Sequence, residues 1–204
     1  MAGTDNRSTI TLKGSSEIVA EFFHYGINSI LYQRGIFPPE TFSRVQKYGL
    51  TILISTNEEL KNYLSVILER IKNWINTKCV QKLVLVISAL DSGEVLEKWN
   101  FNVEYEEGND NEKSGKEKAI SDIHKEIGAI IRQITASVTF LPLLDCACSF
   151  DLHVYTNHST LTGDDWSDAP TSFISNSEQV RLRSFSTSVH RVETSVSYKT
   201  HIIT

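Results

Sequence analysis

Residues 116–141 read KEKAISDIHKEIGAIIRQITASVTFL, and this stretch decides the fold class. Ile120, Ile123, Ile127, Ile130, Ile131, Ile134, Val138 and Leu141 recur at three- and four-residue steps, which places them on one face of a helix. Isoleucine is a mediocre helix former, so burial rather than propensity has to hold such a helix. The spacing predicts a helix over 116–141, ended by Pro142, around which the other elements pack. Its opposite face is centred on Arg132 and carries Gly128, Ala129 and Ala136, residues too small for an ordinary solvated face. Either a second layer of the same domain covers them, or they form a partner surface anchored by Arg132.

Working outward, 15–34 reads as a first helix, capped by Ser15 or Ser16 and stopped by Gly35 before Pro38-Pro39. Gly26 inside it points to a close crossing by a neighbour. YGLTILIS, 48–55, is a short β-branched strand, and Thr56-x-x-Glu59 is a capping box opening a helix to about Thr77. That helix has Leu60, Leu64, Ile67, Ile71 and Trp74 as its core positions. Residues 80–90 are apolar on both faces and read as a central strand. In the next strand Trp99, Phe101, Val103 and Tyr105 alternate with polar residues. The acidic stretch 106–115 reads as a mobile loop. A further strand over 146–155 points Cys146, Cys148, Phe150, Leu152 and Val154 one way.

From Thr156 the pattern weakens. A long loop surrounds Trp166, and 173–198 is strand-like but poor in large apolar residues, with Phe173, Ile174, Leu182, Phe185 and Tyr198 standing out. A thin apolar face pins register weakly, so alternative pairings are cheap there. An ordinary set of edge strands and a switching element are both open readings of this tail. Arg181, Arg183 and Arg191 read as guards on a solvated edge rather than a nucleic-acid platform. With no internal repeat and no second core, 1–204 reads as one α+β domain, helices on one face of an antiparallel sheet.

Composition narrows the function. The net charge of −5 gives no footing for nucleic acid or an anionic membrane. No apolar run reaches the ~18 residues of a membrane span, and the N-terminal stretch lacks the apolar core of a signal peptide. Three cysteines without framework spacing point to a reducing, intracellular setting. Ser114-Gly115-Lys116 lacks the first glycine of a phosphate loop. Cys146-x-Cys148 supplies two of the four ligands a soft metal needs, which favours a strand pair over a metal site. A hydrolase using Cys148 with His153 is the enzymatic alternative, although neither residue sits in a catalytic motif. No catalytic, cofactor or metal residues are expected.

Seven stretches together resemble the spindle-assembly-checkpoint branch of the HORMA-domain family: GSSEIVAEFFHYGINSILYQRGIFP, RVQKYGLTILIST, VQKLVLVIS, SGEVLEKW, IIRQITASVTFLPLL, CSFDLHVYT and EQVRLRSFSTSVH. The resemblance runs from about Ile10 to Tyr198. It implies a HORMA domain with three helices on a mainly antiparallel sheet, a flexible N-terminus over 1–13 and a mobile safety belt over about 156–204. The belt would hold an open and a closed arrangement, the closed one clamping a short peptide added as a strand at a sheet edge. The implied peptides come from the coiled-coil kinetochore scaffold and from the activator of the anaphase-promoting complex, whose sequestration delays anaphase.

By position, the resemblance puts Trp74, Leu152, Tyr155 and Tyr198 around the peptide groove. It puts Arg34, Arg132, Gln133 and Phe140 on a surface shared by an open–closed homodimer and a comet-type adaptor. It also implies an AAA+ ATPase acting on the N-terminus, a checkpoint kinase complex as partner, and residence in the nucleus, at mitotic kinetochores and in the cytoplasm. His153 stands where the family pattern is apolar, and the belt entrance LTGDDWSDAP is more acidic than that pattern. A HORMA adaptor of translesion synthesis, the meiotic axis or autophagy is the alternative within the fold.

Overall fold

The structure is a computed structural model that describes residues 10–106, 118–157, 166, 168–170 and 172–200. The stretch 107–117, which holds most of the expected acidic loop, lies outside them, as do residues 1–9 of the expected N-terminal arm. Three helices are described: α1 (Leu12–Gln33), α2 (Glu58–Asn76) and α3 (Ile120–Ala136). The strands are β1 (Phe42–Lys47), β2 (Leu50–Ser55), β3 (Val80–Ala89), β4 (Val95–Tyr105), β5 (Cys148–Thr156), β6 (Ser177–Ser186) and β7 (His190–Lys199). β1 and β2 form a separate hairpin, and the other five make an antiparallel sheet in the order β5-β3-β4-β7-β6. The α+β class with three helices and an antiparallel sheet is as expected.

The central helix is α1, not α3. α1 packs against α2, α3, β2 and β7, and Phe22, Phe23, Ile27, Ile30 and Leu31 on it are all fully buried. Its serines hid this: Ser15 and Ser16 are buried inside the helix rather than capping it, and Thr11 is the cap, accepting from Gly14 N at 3.1 Å. α3 is shorter than its apolar pattern. Ile123, Ile127, Ile130, Ile131 and Ile134 are buried, but Ile120 and Val138 at its two ends are about half exposed. A short 3-10 turn, Ser137–Thr139, unwinds the helix before Pro142.

The small residues of α3 have an intramolecular explanation. A β carbon on Gly128 would sit 3.1 Å from the carbonyl oxygen of Tyr48, so the β1–β2 turn presses directly on the helix there. That turn is tight because Tyr48 and Gly49 both take positive φ, 53° and 69°, the two-residue geometry that matches strand twist. Tyr48 donates to Glu21 Oε1 at 2.7 Å, fixing the hairpin to α1. Burial, then Glu21, raises the Tyr48 hydroxyl far above its ordinary pKa. Strand β1 was not legible in advance, because FSRVQK buries only Phe42. At Gly26 the nearest approach is milder, Phe22 at 3.8 Å and Ile134 Cδ1 at 4.0 Å, so glycine is not forced there.

α2 starts one residue later than the capping box suggests. Asn57 accepts from Leu60 N at 2.9 Å, while Thr56 turns away and donates to the Thr41 carbonyl. Its buried face is Leu60, Leu64, Leu68, Ile71 and Ile75, so Ile67 and Trp74 lie at the margin instead. β3 is central as expected, with Leu83, Leu85 and Ile87 facing the helices and Val84 and Val86 buried on the outer face. The tail corrects one expectation. β7 sends Val192, Val196 and Tyr198 into the main core and β6 sends Phe185, so its apolar payload is substantial. Phe173 is 77% exposed, whereas its neighbour Ile174 is buried.

Candidate functional site: two edges of one sheet

The sheet ends in β5 on one side and β6 on the other, and their surroundings differ. Among the described residues β5 pairs only with β3, from Cys148 opposite Ala89 to Tyr155 opposite Lys82 and, past a register shift, Thr156 opposite Val80. Among the described residues nothing pairs with its other edge. Alternation sends Phe150, Leu152 and Val154 toward the helices and Asp151, His153 and Tyr155 outward. Phe150 lies between Phe37 and Tyr63, with ring centroids 6.0 Å from each. Burial, then Asp151, raises the Tyr63 hydroxyl. At the far end Asn157 N donates to the Cys79 carbonyl at 3.0 Å, and Trp74 meets Trp166 with centroids 4.9 Å apart.

The outer face meets, at Ser172, the chain that leads into β6. Lys98 Nζ donates to the Ser172 carbonyl at 2.8 Å, and burial, helped by Lys82, lowers the Lys98 pKa. Lys82 stands 4.3 Å over the Tyr155 ring. His153, opposite Val84, has a buried Nδ1 with no hydrogen-bond partner, and Thr194 Oγ1 on β7 is in the same position. Cys148 and His153 are five residues apart on one strand and therefore face opposite ways, so they form no nucleophile–base pair. Burial and Cys146 push the Cys148 thiol up to about 11, which further disfavours the hydrolase reading.

The covered edge is built differently. α3 lies along β6, and two of its side chains accept from strand amides that would otherwise be bare. Gln133 Oε1 accepts from Arg183 N at 2.7 Å, beside the register shift between Arg181 and Ser184. Glu126 Oε2 accepts from Ser186 N at 3.2 Å and also pairs with Lys118. The β6–β7 turn is fixed to α1: Ser15 Oγ lies 2.5 Å from Thr187 Oγ1 and 2.7 Å from His190 Nδ1. Burial, then Lys78, lowers the His190 pKa to about 4 against the opposing pull of Glu106 and the Ile75 backbone.

The residues expected around one groove divide between these regions. Trp74, Leu152 and Tyr155 belong to the β5 side, although Leu152 faces the core and Tyr155 faces outward. Tyr198 is elsewhere: it lies on β7 opposite Glu97 of β4, and its hydroxyl donates to Glu178 Oε2 at 2.9 Å. Of the expected association surface, Arg132 and Phe140 are exposed and Gln133 is half-buried under β6. Arg34, expected on that surface, is buried in this arrangement. Its Nε donates to Glu97 Oε1 and Oε2 at 2.8 and 3.1 Å, and its Nη2 reaches the Pro142 carbonyl. Trp99 Nε1 donates to the same carboxylate at 3.1 Å. Sequence reading passed over Glu97, Ser15 and His190. Glu97 had a signal, since period two puts it on the buried face of Trp99 and Phe101.

Three helices on an antiparallel sheet, with one edge bare among the described residues and a C-terminal hairpin at the other, define the fold class. The HORMA-domain family model matches residues 15–190, and the chain belongs to that family. The mitotic spindle assembly checkpoint protein MAD2A of Homo sapiens is 55% identical over 190 residues, covering 93% of each chain. The mitotic spindle checkpoint component mad2 of Schizosaccharomyces pombe is 46% identical, covering 98% of each. In a crystal structure of a mitotic checkpoint complex, one chain superposes with a TM-score of 0.83 at 45% identity, covering 92% of this chain and 99% of its own length. HTP-2 of C. elegans, solved bound to a HIM-3 closure motif, shares the fold at a TM-score of 0.79 and 14% identity, with 98% and 99% covered. Within its family the chain is a spindle assembly checkpoint protein.

Proposed function

We propose that the protein works by taking up a short extended peptide as a sixth strand on β5 and closing the 156–204 segment over it. The observation that carries this is the asymmetry of the sheet: β5 is bare along its outer edge while β6 is capped by α3. A strand with one unsatisfied edge offers main-chain hydrogen bonds to a peptide, and the alternating pockets beside it supply specificity. The arrangement described here, with the β6–β7 hairpin on β4 and the outer edge of β5 bare, is read as the closed state without its peptide, a reading supported by the superposition over 98% of the chain on HTP-2 bound to a closure motif. Opening requires that hairpin to leave β4, and Tyr198 with it, so that the segment between β5 and β6 releases the peptide.

The peptides of this role are those of the checkpoint scaffold and of the anaphase-promoting complex activator, and the work is done at the kinetochore in mitosis. The role is binding rather than catalysis. Arg132 and Phe140 form the exposed part of a surface for a second copy in the other state and for adaptors. Gln133 borders it beneath β6, and Arg34 joins it only where the Glu97 pairing opens. The N-terminal residues 1–13 are the handle for remodelling by an ATPase, with Leu12 and Lys13 in the first turn of α1.

The test is backbone amide exchange with and without an activator-derived peptide. Amides of β5 on the bare side should become protected, and those of β6–β7 should exchange through a transient undocked state. Binding that leaves β5 exchange unchanged would defeat the proposal.

A further inference from the structure

The root of β5 carries a feature that peptide binding does not use. Cys146 Sγ and Cys148 Sγ lie 3.9 Å apart, with Cys146 exposed and Cys148 half-buried. Two same-face residues of a regular strand have Cα atoms about 6.6 Å apart, at the upper end of what a disulfide spans. Here the chain bends at Cys146, just before β5 begins, and the bend turns the two side chains toward each other. Ala147 between them is anchored, since Leu90 N donates to its carbonyl at 2.8 Å. The thiols are thus held as neighbours by the backbone.

Cys146 also lines an open cleft of about 210 Å³ with Glu97, Leu143 and Tyr198, so a small solute reaches it. Among the described residues no group of three His, Cys, Asp or Glu could hold a metal. We propose that Cys146 and Cys148 are a reversible two-electron redox site, closed by hydrogen peroxide to an intrachain disulfide at the start of β5.

The chemistry balances with peroxide as the oxidant. The Cys146 thiolate attacks one peroxide oxygen, forming an S–O bond as the O–O bond breaks, and the departing hydroxide takes a proton to become water. Cys148 then gives up its proton and attacks the Cys146 sulfur. The S–S bond forms, the S–O bond breaks, and a second water leaves. Two thiols and one peroxide become one disulfide and two waters. The order follows from exposure: Cys146 meets the oxidant, while burial keeps Cys148 protonated until a sulfenic acid stands beside it. In a reducing setting such a bond is transient, as expected of a sensor rather than a structural bridge.

The site stands apart from peptide binding, and so does its test. The full-length protein is treated with hydrogen peroxide, alkylated under denaturing conditions and digested, with Cys79 as the internal reference. The peptide holding Cys146 and Cys148 should lose two hydrogens, resist alkylation and recover it after dithiothreitol, while Cys79 stays alkylatable. In the Cys148→Ser variant Cys146 should instead advance to sulfinic acid or form intermolecular dimers. Failure of the wild-type pair to close while Cys79 oxidises, or closure only between molecules, would overturn the assignment.

Discussion

The two edges of the five-stranded sheet solve the same physical problem in opposite ways. Every edge strand presents amides and carbonyls that lack a partner. On β6 the problem is removed by α3, whose Gln133 and Glu126 accept from Arg183 N and Ser186 N. On β5, among the described residues, it is left standing, and the flanking side chains Phe37, Tyr63, Trp74 and Trp166 lie beside the strand without pairing with its backbone. The contrast is the ground for the proposed addition of a peptide strand at β5. It also shows what holds the C-terminal hairpin in place. The hairpin is released only by breaking its ladder with β4, its two caps from α3 and its polar anchor on Ser15.

The largest expected effect comes from the ion pair that ties β4 to α1 beside the hairpin. Arg34→Met leaves the buried Glu97 carboxylate without its cation and should cost about 3–5 kcal/mol of stability, read by denaturant melts. Arg34→Met with Glu97→Gln should recover part of that loss. A single variant as stable as the parent would show that the pair is not what secures this side of the sheet.

Next is a direct test of the bare edge. Successive residues of an antiparallel strand point their amides to opposite sides, so one of His153→Pro and Val154→Pro breaks the β3 ladder and the other only blocks the outer edge. The first should be destabilised. The second should melt close to the parent and bind peptide about a hundredfold more weakly, about 2.8 kcal/mol. Calorimetric titration showing parental affinity for both would dispose of β5 as the docking strand.

A smaller effect is expected on the covered edge. Gln133→Ala removes one neutral cap and should weaken hairpin docking by about 0.5–1.5 kcal/mol, speeding exchange at the Arg183 amide by up to about tenfold. Exchange at the β5 amides should not change. If both edges respond alike, α3 does not distinguish them.

The smallest effect is a pH dependence of the same docking. His190 is held neutral, with its pKa lowered to about 4, and Lys78, Glu106 and the Tyr105 ring face it. In the undocked hairpin its pKa returns to about 6.5. Between those values the undocked form binds more protons, so docking is complete above pH 6.5 and is progressively lost as pH falls toward 4. Exchange at Thr187 to His190 should therefore accelerate from pH 7 to pH 5, beyond the intrinsic trend, and His190→Gln should flatten it.

Much of this molecule was legible in order of residues. The isoleucines of α3, the apolar run of β3 and the alternation of β4 identify themselves, because burial on one or both faces repeats at the period of the element. Peptide-groove residues were harder. Trp74, Leu152 and Tyr155 do gather near β5, but Tyr198 is held three strands away across β4. Its place is set by the β4–β7 pairing, a long-range contact that its position in the sequence does not imply.

What the sequence alone determined was element type, the buried faces of most elements and, through seven matching stretches, family membership. Those depend on local periodicity and on residue identity. Which helix is central, which edge is bare and which charges are buried were decided only in three dimensions. α1 carries serines at positions that look like caps yet are covered by β7 and its turn. Arg34 looks like a surface arginine and becomes internal only when Glu97 folds against it. The thiols of Cys146 and Cys148 are brought together by a backbone bend that no pattern of residues announces. In each case the deciding partner lies far along the chain or in a backbone angle, and neither is written in local periodicity.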